Sequence, residues 1–318
     1  MTALPELSIV APCYNEAAGL AGFVLRMAAA AEAAVGAGFY ELILVDDGSR
    51  DPTWSVIQGL SVDNPAIVGV RLSRNHGHQL AVTAGLSLVR GARVLIIDAD
   101  LQDPPELVGP MIEKLDQGFD VVFGRRRTRA GESAFKLATA GLFYRTLSAL
   151  ADSEIPLDTG DFRLMSRRIV DRLNAMPERD RFIRGMVAWL GGRQTEILYD
   201  RDARATGETH YTLRRMLRLA TDGLTSFSTA PLRLATALAG LGVAAAAGLL
   251  VYVLIGFLTG HATPGWTSLA LIVVFFSTAQ LICLAIFGEY LGRTYMQAKG
   301  RPLYLIDEIR AARPREDD

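Results

Sequence analysis

Two carboxylates and an amide stand close together in the stretch Asp98-Ala99-Asp100-Leu101-Gln102. The stretch follows the apolar run 94–97, which has the pattern of a strand buried on both faces of a parallel sheet. Asp103 and two prolines come next and indicate the first turn of a helix, with Asp103 interpreted as its cap. Carboxylate and amide oxygens suit a hard divalent cation that also holds substrate phosphates. The stretch therefore predicts a metal and diphosphate site at a strand end.

Alternating strands and helices must position this site. The predicted strands are 7–12, 40–45, 67–72, 94–97 and 120–124, then a short strand after a turn within 155–164, and one near 195–199. The predicted helices are 17–35, 53–60, 79–89, 105–117, 134–150, 169–175 and 181–190. This spacing is typical of βαβ units and predicts an α/β domain with a Rossmann-like, mostly parallel sheet. Four consecutive strands end in polar or charged residues, at the edge where open α/β sheets bind ligands.

Several motifs are ambiguous when taken one at a time. Asp46-Asp47-Gly48-Ser49 alone favours a capped turn, and the arginines at 125–129 fit either a solvated loop or a phosphate clamp. We interpret His76 and His78 as loop or sheet-edge residues, because no Cys or His partners occur at zinc spacing. No Gly-x-Gly-x-x-Gly follows the first strand and no Gly-Lys-Ser/Thr occurs, which argues against dinucleotide and P-loop sites.

Charge and hydropathy divide the chain into two parts. The 33 basic and 34 acidic residues give a net charge of -1, so no nucleic acid or other polyanion is predicted as a partner. The hydrophobic fraction of 50% is concentrated after Pro231, in the uncharged stretches 232–258 (after Arg233) and 266–288. Each stretch exceeds the roughly 20 residues that a bilayer-spanning helix needs. We therefore predict a membrane hairpin.

The flanks of the hairpin predict its orientation. The link 259–265 carries no Lys or Arg, whereas basic residues lie on both sides of the pair, so both termini are expected in the cytoplasm. Residues 211–227 form a basic amphipathic stretch that fits a membrane interface better than a core helix. We expect no cleavable signal peptide, and we interpret Cys13 and Cys283 as reduced structural thiols. The predicted location is the inner, cytoplasmic membrane, with a multi-pass chain.

These observations predict four segments. Residues 1–207 form the catalytic domain, 208–230 contain the interface helix, 231–292 form the transmembrane hairpin, and 293–318 are a cytoplasmic tail. The sequence leaves a homo-oligomer open.

Four motifs, taken in order, resemble a known family. They are Pro12-Cys13-Tyr14-Asn15-Glu16, Val45-Asp46-Asp47-Gly48-Ser49-Arg50-Asp51, the stretch from Asp98 to Glu106, and Gly160-Asp161-Phe162-Arg163-Leu164. Together they resemble family-two inverting glycosyltransferases of the GT-A fold, in the polyprenyl-phosphate branch that includes GtrB-type enzymes and dolichol-phosphate mannose synthase. The resemblance covers nearly the whole chain, including the hairpin.

The resemblance implies roles for individual residues. The nucleotide sugar would be bound by Pro12, Tyr14, Asn15, Glu16, Asp46, Asp47, Asp98, Ala99, Asp100 and Gln102. Within this set, Asp98, Asp100 and Gln102 would hold Mg²⁺ or Mn²⁺ against the donor diphosphate. Arg125 and Arg163 would contact phosphate or sugar, and Asp161, with Asp158 as the nearby candidate, would be the base or an orienting carboxylate.

Further residues would meet the acceptor phosphate. They are Arg127, Arg129, His210, Tyr211 and Arg214. The family resemblance also implies that residues 208–230 contain a gating segment. His210 stands where relatives often carry Lys, and His is only partly protonated near neutral pH.

The implied reaction moves a sugar from a nucleotide sugar to a polyprenyl phosphate in the bilayer. UDP-glucose and undecaprenyl phosphate are the first expectation, and GDP-mannose, UDP-N-acetylglucosamine and UDP-4-deoxy-4-formamido-arabinose stay open as donors. A processive polysaccharide synthase should carry more spans and a Gln-x-x-Arg-Trp-type motif, and neither is found. A non-catalytic membrane scaffold would not need the intact set Asp98, Asp100 and Gln102.

Overall fold

The computed structural model describes residues 4–127, 159–200 and 265–311, together with a discontinuous set of positions between 235 and 259. The chain divides into two compact units. The first comprises residues 1–141, 153–210 and 302–318, and the second comprises residues 142–152 and 211–301. The predicted helix at 134–150 and the predicted segment 208–230 lie outside the described residues.

Within the described residues, the first unit contains one eight-stranded sheet in the order β7-β5-β6-β4-β1-β2-β3-β8. The strands are β1 Leu7–Cys13, β2 Tyr40–Asp46, β3 Ile67–Leu72, β4 Arg93–Ile96, β5 Val121–Arg126, β6 Thr159–Ser166, β7 Gln194–Tyr199 and β8 Ile306–Ala311. The neighbours β4, β1, β2 and β3 are parallel, as the sequence predicted.

The remaining strands make the sheet mixed. β6 is antiparallel to both β4 and β5, β7 is parallel to β5, and β8 is antiparallel to β3. The mostly parallel sheet of the sequence prediction is therefore correct for the centre and too simple for the flanks. Strand direction in β6 depends on pairing with residues about 40 and 70 positions away, which local periodicity does not contain.

The helices are α1 Leu20–Val35, α2 Thr53–Asp63, α3 His78–Leu86, α4 Val108–Asp116, α5 Arg167–Ala175, α6 Ile183–Leu190 and α7 Trp266–Ala298. A 3₁₀ turn, Pro105–Leu107, leads into α4 with proline in its first turn, as predicted. α3 begins at His78, one residue before its predicted start at 79. α6 begins at Ile183, two residues after its predicted start at 181.

Helices cover both faces of the central strands. On one face, Ile9, Leu42 and Leu95 pack in a buried cluster with Phe23 and Met27 of α1. Because successive side chains alternate between faces, Val10 and Val45 point to the other face, toward α3. A Cβ on Gly85 of α3 would lie 2.3 Å from Val10 Cγ1, so α3 lies unusually close to the sheet. This contact fixes α3 against β1 and β2.

The C-terminal strand β8 was not anticipated, since residues 293–318 were predicted to be a tail. β8 extends the sheet beyond β3, and Ser73 N–H donates to Leu305 C=O just before it (2.9 Å). Tyr304 Oη adds a hydrogen bond to Ser87 Oγ (2.9 Å). The sequence Ile-Asp-Glu-Ile-Arg-Ala is short and charged, which suits an edge strand but gives little signal by itself.

The second unit contains α7, a helix of 33 residues. Its segment Phe275–Ala298 has 24 residues and contains an 18-residue window with a mean hydropathy of 1.3. Among the described residues, this is the one helix that is long and apolar enough to cross a membrane. The second predicted span, 266–288, falls inside α7. The first predicted span, 232–258, is helical at those of its positions that the structure describes. Both cysteines are free thiols, as expected.

Candidate active site

Strand register brings two carboxylates together at the carboxyl end of β4. In the antiparallel pair of β4 and β6, Ile96 lies opposite Arg163. Two residues further along β4 is Asp98, and two residues back along β6 is Asp161, so the two carboxylates reach the same edge. The sequence predicted both residues, and the antiparallel pairing explains why they meet.

Asp161 accepts hydrogen bonds from three side chains. His78 Nε2 lies 3.1 Å from Asp161 Oδ2, Gln79 Nε2 donates to the same oxygen (3.2 Å), and Arg184 spans both oxygens at 2.8 and 3.3 Å. Gln79 Oε1 in turn accepts from the main-chain N–H of Ile183 (2.9 Å), which begins α6. The starts of α3 and α6 are thus tied to one carboxylate.

These donors keep Asp161 ionised. Burial by itself raises the pKa of a carboxyl group, but the hydrogen bonds from His78 and Arg184 and the nearby charge of Arg163 outweigh it. The pKa of Asp161 is therefore held well below its usual range. Burial lowers the pKa of His78, yet its hydrogen bond to Asp161 and the charge of Asp98 more than compensate and raise that pKa overall. The pair favours the charged form of each partner.

Asp98 has the opposite electrostatics. Its Oδ1 atom is buried and has no hydrogen-bond partner, although the side chain as a whole is 37% exposed. Among the described residues, His78 Nε2 lies 3.7 Å from this oxygen. Burial, together with the carboxylates of Asp161, Asp100 and Asp103, raises the pKa of Asp98 to about 6, against the lowering effect of His78. An unsatisfied carboxylate of this kind fits a ligand that brings positive charge.

The loop after Asp98 has a constrained backbone. Leu101 has a φ of +57°, a left-handed conformation that is rare for residues other than glycine, Asn and Asp. Asp100 Oδ1 accepts the main-chain N–H of Gln102 (3.1 Å), and Gln102 and Ala99 are buried. The constraint keeps the Asp98–Gln102 side chains on one short turn.

The predicted cap role of Asp103 is wrong. The 3₁₀ turn has no side-chain cap, and buried Asp103 instead accepts a hydrogen bond from the hydroxyl of Tyr199, at the end of β7. Tyr199 also packs edge-to-face on Phe162 of β6, with ring centroids 5.8 Å apart. Through Tyr199, the loop that follows β4 is therefore anchored to β6 and β7.

The donor set fits a divalent cation shared with a substrate. Asp98 Oδ1 is an orphaned buried oxygen, and Asp100 and Gln102 add further oxygens on the same turn. Among the described residues, no group of three His, Cys, Asp or Glu side chains is arranged to hold a metal alone. One or two carboxylates with substrate phosphates are a common Mg²⁺ site, so the residues fit that arrangement rather than a closed protein cage.

The predicted nucleoside loop at 12–16 is held by the loop after β2. Asn15, with a φ of +58°, accepts the main-chain N–H of Arg50 (2.8 Å) and donates its own N–H to Ser49 Oγ (3.0 Å). Glu16 N–H donates to Thr53 Oγ1 (2.9 Å). Pro12 is partly buried in β1, whereas Tyr14 is exposed on the loop. The two motifs thus form one structural unit.

Asp46 and Asp47 are buried, and both bind main chain. Asp46 Oδ1 accepts from Ser49 N–H (3.0 Å), which closes the turn after β2. Asp47 Oδ1 accepts from His76 N–H (2.7 Å) and its Oδ2 from Gly77 N–H (2.9 Å). Asp47 therefore organises the segment that leads into α3.

The predicted arginines have different surroundings. Arg163 is only 4% exposed, and its guanidinium donates to the carbonyls of Gly160 (3.1 Å) and Asp161 (3.4 Å). Burial lowers the pKa of Arg163 to about 10, so the group stays protonated at neutral pH. Arg125 pairs with Glu196 (3.0 Å) and Arg127 with Asp200 (3.6 Å), both with exposed side chains. Arg163 therefore supports the main chain around Asp161.

Five predicted site residues lie outside the described part of the chain. They are Arg129, Asp158, His210, Tyr211 and Arg214.

Sequence reasoning missed three residues of the site, His78, Gln79 and Arg184. His78 was interpreted as a loop or sheet-edge residue and Arg184 as part of an ordinary helix. One signal was available for the first two, because they follow the loop after the third parallel strand and so belong to the same edge of the sheet as Asp98. Nothing in the local pattern around Arg184 marks it.

Comparison with known proteins gives the family. Residues 8–173 match the glycosyl transferase family 2 domain. An uncharacterized glycosyltransferase of Bacillus subtilis is 42% identical over 305 residues, covering 95% of this chain and 94% of the relative. A prophage bactoprenol glucosyl transferase homolog of Escherichia coli is 36% identical, covering 96% and 99%. The chain therefore belongs to glycosyl transferase family 2 and is a glycosyltransferase, built on an α/β, GT-A-like domain with a mixed sheet.

Among solved structures, the chain is similar to a mannosyltransferase of Pyrobaculum calidifontis in complex with GDP-Man and Mn²⁺. The TM-score is 0.46 at 20% identity, with 91% of this chain and 88% of the other covered.

Proposed function

We propose that this glycosyltransferase moves a sugar from a nucleotide sugar to a polyprenyl phosphate at the cytoplasmic face of a membrane. UDP-glucose is the proposed donor, undecaprenyl phosphate the proposed acceptor, and Mg²⁺ or Mn²⁺ the proposed cofactor. The observation that carries the proposal is the pairing of Asp98, which has an unsatisfied buried oxygen, with Asp161, which is held ionised among three donors. The site thus has one side for a cation and diphosphate and another for an anionic acceptor.

The metal side follows from the needs of the reaction. Breaking the bond between a sugar and a diphosphate leaves negative charge on the diphosphate, and a bound divalent cation neutralises that charge as a Lewis acid. Asp98, Asp100 and Gln102 are the residues proposed to hold it. The loop 12–16, with exposed Tyr14, is proposed to bind the nucleoside. It lies at the carboxyl end of β1, the strand beside β4.

The acceptor side needs positioning more than deprotonation. A lipid phosphate is already an anion at neutral pH, so no strong base is required to make it a nucleophile. Asp161 has a pKa well below its usual range, which makes it a weak proton acceptor. We therefore favour the orienting role for Asp161, which holds Arg184 and His78 at the site. Guanidinium groups bind phosphate with a geometry that suits this task.

The acceptor is proposed from the membrane segment and from the relatives. The segment Phe275–Ala298 can cross a bilayer by length and composition, and the full-length relative from Escherichia coli is named as a bactoprenol glucosyl transferase homolog. Two spans, with both termini in the cytoplasm, remain the proposed topology. The name of that relative also favours glucose over mannose, N-acetylglucosamine or formamido-arabinose as the sugar.

A transfer assay tests the proposal. Purified protein in detergent with Mn²⁺ is given a panel of nucleotide sugars with undecaprenyl phosphate, and lipid products are identified by mass spectrometry. We expect a hexosyl phosphate lipid with UDP-glucose, and none when undecaprenol replaces its phosphate. A folded protein that yields no lipid-linked sugar with any donor would refute the proposed function.

A further inference from the structure

His78 lies between the two carboxylates of the site. Its Nε2 atom is 3.1 Å from Asp161 Oδ2 and 3.7 Å from Asp98 Oδ1, and its side chain is 39% exposed. Among the described residues, Arg184 is a second charged group that contacts the Asp161 carboxylate. An imidazole N–H at this point can hold Asp161 in place and reduce the repulsion between the two carboxylates. Its exposed part remains accessible to a substrate.

The position of His78 is set by the segment before it, residues 74–77. Gly77 has a φ of +97° and precedes the first residue of α3. The main-chain N–H groups of His76 and Gly77 each donate to one oxygen of Asp47, whose carboxylate is buried. Two hydrogen bonds from consecutive residues to one fixed carboxylate define the direction of the main chain that enters α3.

Gly48, the residue after Asp47, also packs against the segment 74–77. Its φ is +64°, and a Cβ there would lie 2.5 Å from the main-chain carbon of Arg74 and 2.5 Å from the nitrogen of Asn75. The loop after β2 and the segment 74–77 are therefore in direct main-chain contact. Asp47 and Gly48, adjacent in sequence, both act on the segment that delivers His78.

We propose that His78 is a further active-site residue of the sugar transfer, and that Asp47 acts as the positioning residue that places it. The proposal rests on the function proposed above. It gives Asp47 a role different from the nucleotide-sugar binding that the family resemblance implied. A carboxylate that binds two main-chain N–H groups while only 3% exposed is better suited to hold a loop.

A double-mutant cycle separates the two roles of Asp47. His78→Ala is expected to lower kcat by about tenfold to a hundredfold, the range typical of residues that orient metal ligands and their neighbours. The KM for the nucleotide sugar should stay within about twofold, because an orienting residue affects the transition state more than donor binding. His78→Gln should recover part of the loss, since its amide N–H can donate in the same direction.

Asp47→Asn is then measured in both backgrounds. If Asp47 acts through His78, the substitution lowers kcat in the wild-type background and adds no further loss to His78→Ala. If Asp47 reads the nucleoside instead, it raises the donor KM by the same factor in both backgrounds, and the positioning role is overturned. Wild-type kcat in His78→Ala would overturn the role of His78. Asp63→Asn, at the exposed end of α2, is the matched control and should change neither constant.

An NMR measurement that needs no turnover separates the positioning role of Asp47 from the proposed function. The chain has four histidines, so the imidazole signals of histidine-labelled protein are few, and the one missing in His78→Ala identifies His78. Asp47→Asn should shift that signal, whereas Asp63→Asn should not; an unshifted signal in Asp47→Asn would overturn the positioning role. If Asp47→Asn does not fold, Gly77→Ala replaces it, because its Cβ meets open space but its backbone must change. A wild-type protein without transfer activity would refute the proposed function and leave this test intact.

Discussion

Asp98 and Asp161 are neighbouring carboxylates whose surroundings shift their pKa values in opposite directions. Asp161 is ionised and saturated with donors, whereas Asp98 has a pKa raised to about 6 and a buried oxygen without a hydrogen bond. Two titratable groups separated in this way commonly serve different roles in one active site. This separation supports the roles proposed above, a cation ligand for Asp98 and an orienting carboxylate for Asp161.

Asp98→Asn is expected to stabilise the metal-free protein at pH 8. The pKa of Asp98 is about 6 in the folded protein and near 3.8 in the unfolded chain. The ionised carboxylate therefore destabilises the fold above pH 6, and this destabilisation disappears as the pH falls from about 6 to 3.8. Allowing for solvent screening of a side chain that is 37% exposed, the gain is about 1 kcal/mol, or about 2–4 °C in Tm.

The measurement is thermal unfolding in EDTA at pH 8 and pH 5, with Asp63→Asn as the control. In buffer without EDTA, added Mn²⁺ should raise the Tm of the wild type and not that of Asp98→Asn, because only the wild type binds the cation through this carboxylate. A variant that is less stable than the wild type at pH 8 in EDTA would contradict the electrostatic account of Asp98.

Arg184→Gln should be strongly disruptive, because it leaves a buried carboxylate without its bidentate partner. We expect turnover to fall by about 100-fold. The pKa of Asp161 is lower in the folded protein than in the unfolded chain. The difference in unfolding free energy between wild type and variant should therefore be largest above about pH 4 and should shrink as the pH falls further. Kinetic assays and unfolding curves of the variant at pH 7 and pH 3.5 provide the check.

Arg168→Gln is the matched control for Arg184→Gln. Arg168 forms a 2.6 Å ion pair with Asp120, but its side chain is exposed, so its loss should change stability by less than about 1 kcal/mol and leave turnover unaltered. Equal effects of the two substitutions would show that the Asp161 network has no special role.

At the scale of secondary-structure elements, the site depends on how closely α3 packs on the sheet. His78 and Gln79 are its first two residues, and Gly85 allows its closest approach to Val10 and Val45. A helix displaced from the sheet would carry both side chains away from Asp161. The spacing of a helix from a sheet is therefore part of the geometry of the site.

Gly85→Ala should destabilise the protein by about 1–3 kcal/mol, because the new Cβ would lie 2.3 Å from Val10 Cγ1 and the core must shift. Gly59→Ala, in the middle of α2 with open space around its Cβ, should instead stabilise by about 0.5–1 kcal/mol. Thermal unfolding of the two variants gives the comparison. A Gly85→Ala protein as stable as Gly59→Ala would contradict the packing of α3.

Some secondary-structure elements could be predicted from the sequence and others could not. Local hydrophobic periodicity predicts the alternation of β1 to β4 with α1 to α3. That alternation also predicts the edge of the sheet where Asp98 lies. The direction of β6 and the existence of β8 come from pairing with distant strands. Gln79 and Arg184 meet Asp161 only through that pairing, which is why motifs found the two carboxylates and not their partners.

At the scale of the whole molecule, the proposed function joins a GT-A-like catalytic unit to an apolar one. Helix α7 has 33 residues, so it is about 50 Å long and exceeds the roughly 30 Å thickness of the hydrocarbon layer. A polyprenyl phosphate presents its charged group at the headgroup level of the bilayer. A membrane-bound transferase can therefore meet its acceptor without extracting it from the lipid.

The proposed hairpin predicts the exposure of its link. Cysteines introduced at Thr263 in the link and at Asp318, the last residue, in a chain with Cys13 and Cys283 replaced by serine, should react differently in intact cells. A membrane-impermeant maleimide should label position 263 from outside and position 318 only after the membrane is opened. Labelling of both positions from the same side before lysis would contradict the topology.

The anomeric configuration of the product tests the central claim most directly. Transfer by a single displacement from α-linked UDP-glucose to undecaprenyl phosphate predicts a β-linked glucosyl phosphate lipid, formed in the presence of Mn²⁺ and lost in Asp98→Asn. Proton NMR of the purified lipid reports the configuration at the anomeric carbon. An α-linked product, or glucose released into water with no lipid-linked sugar, would contradict the account.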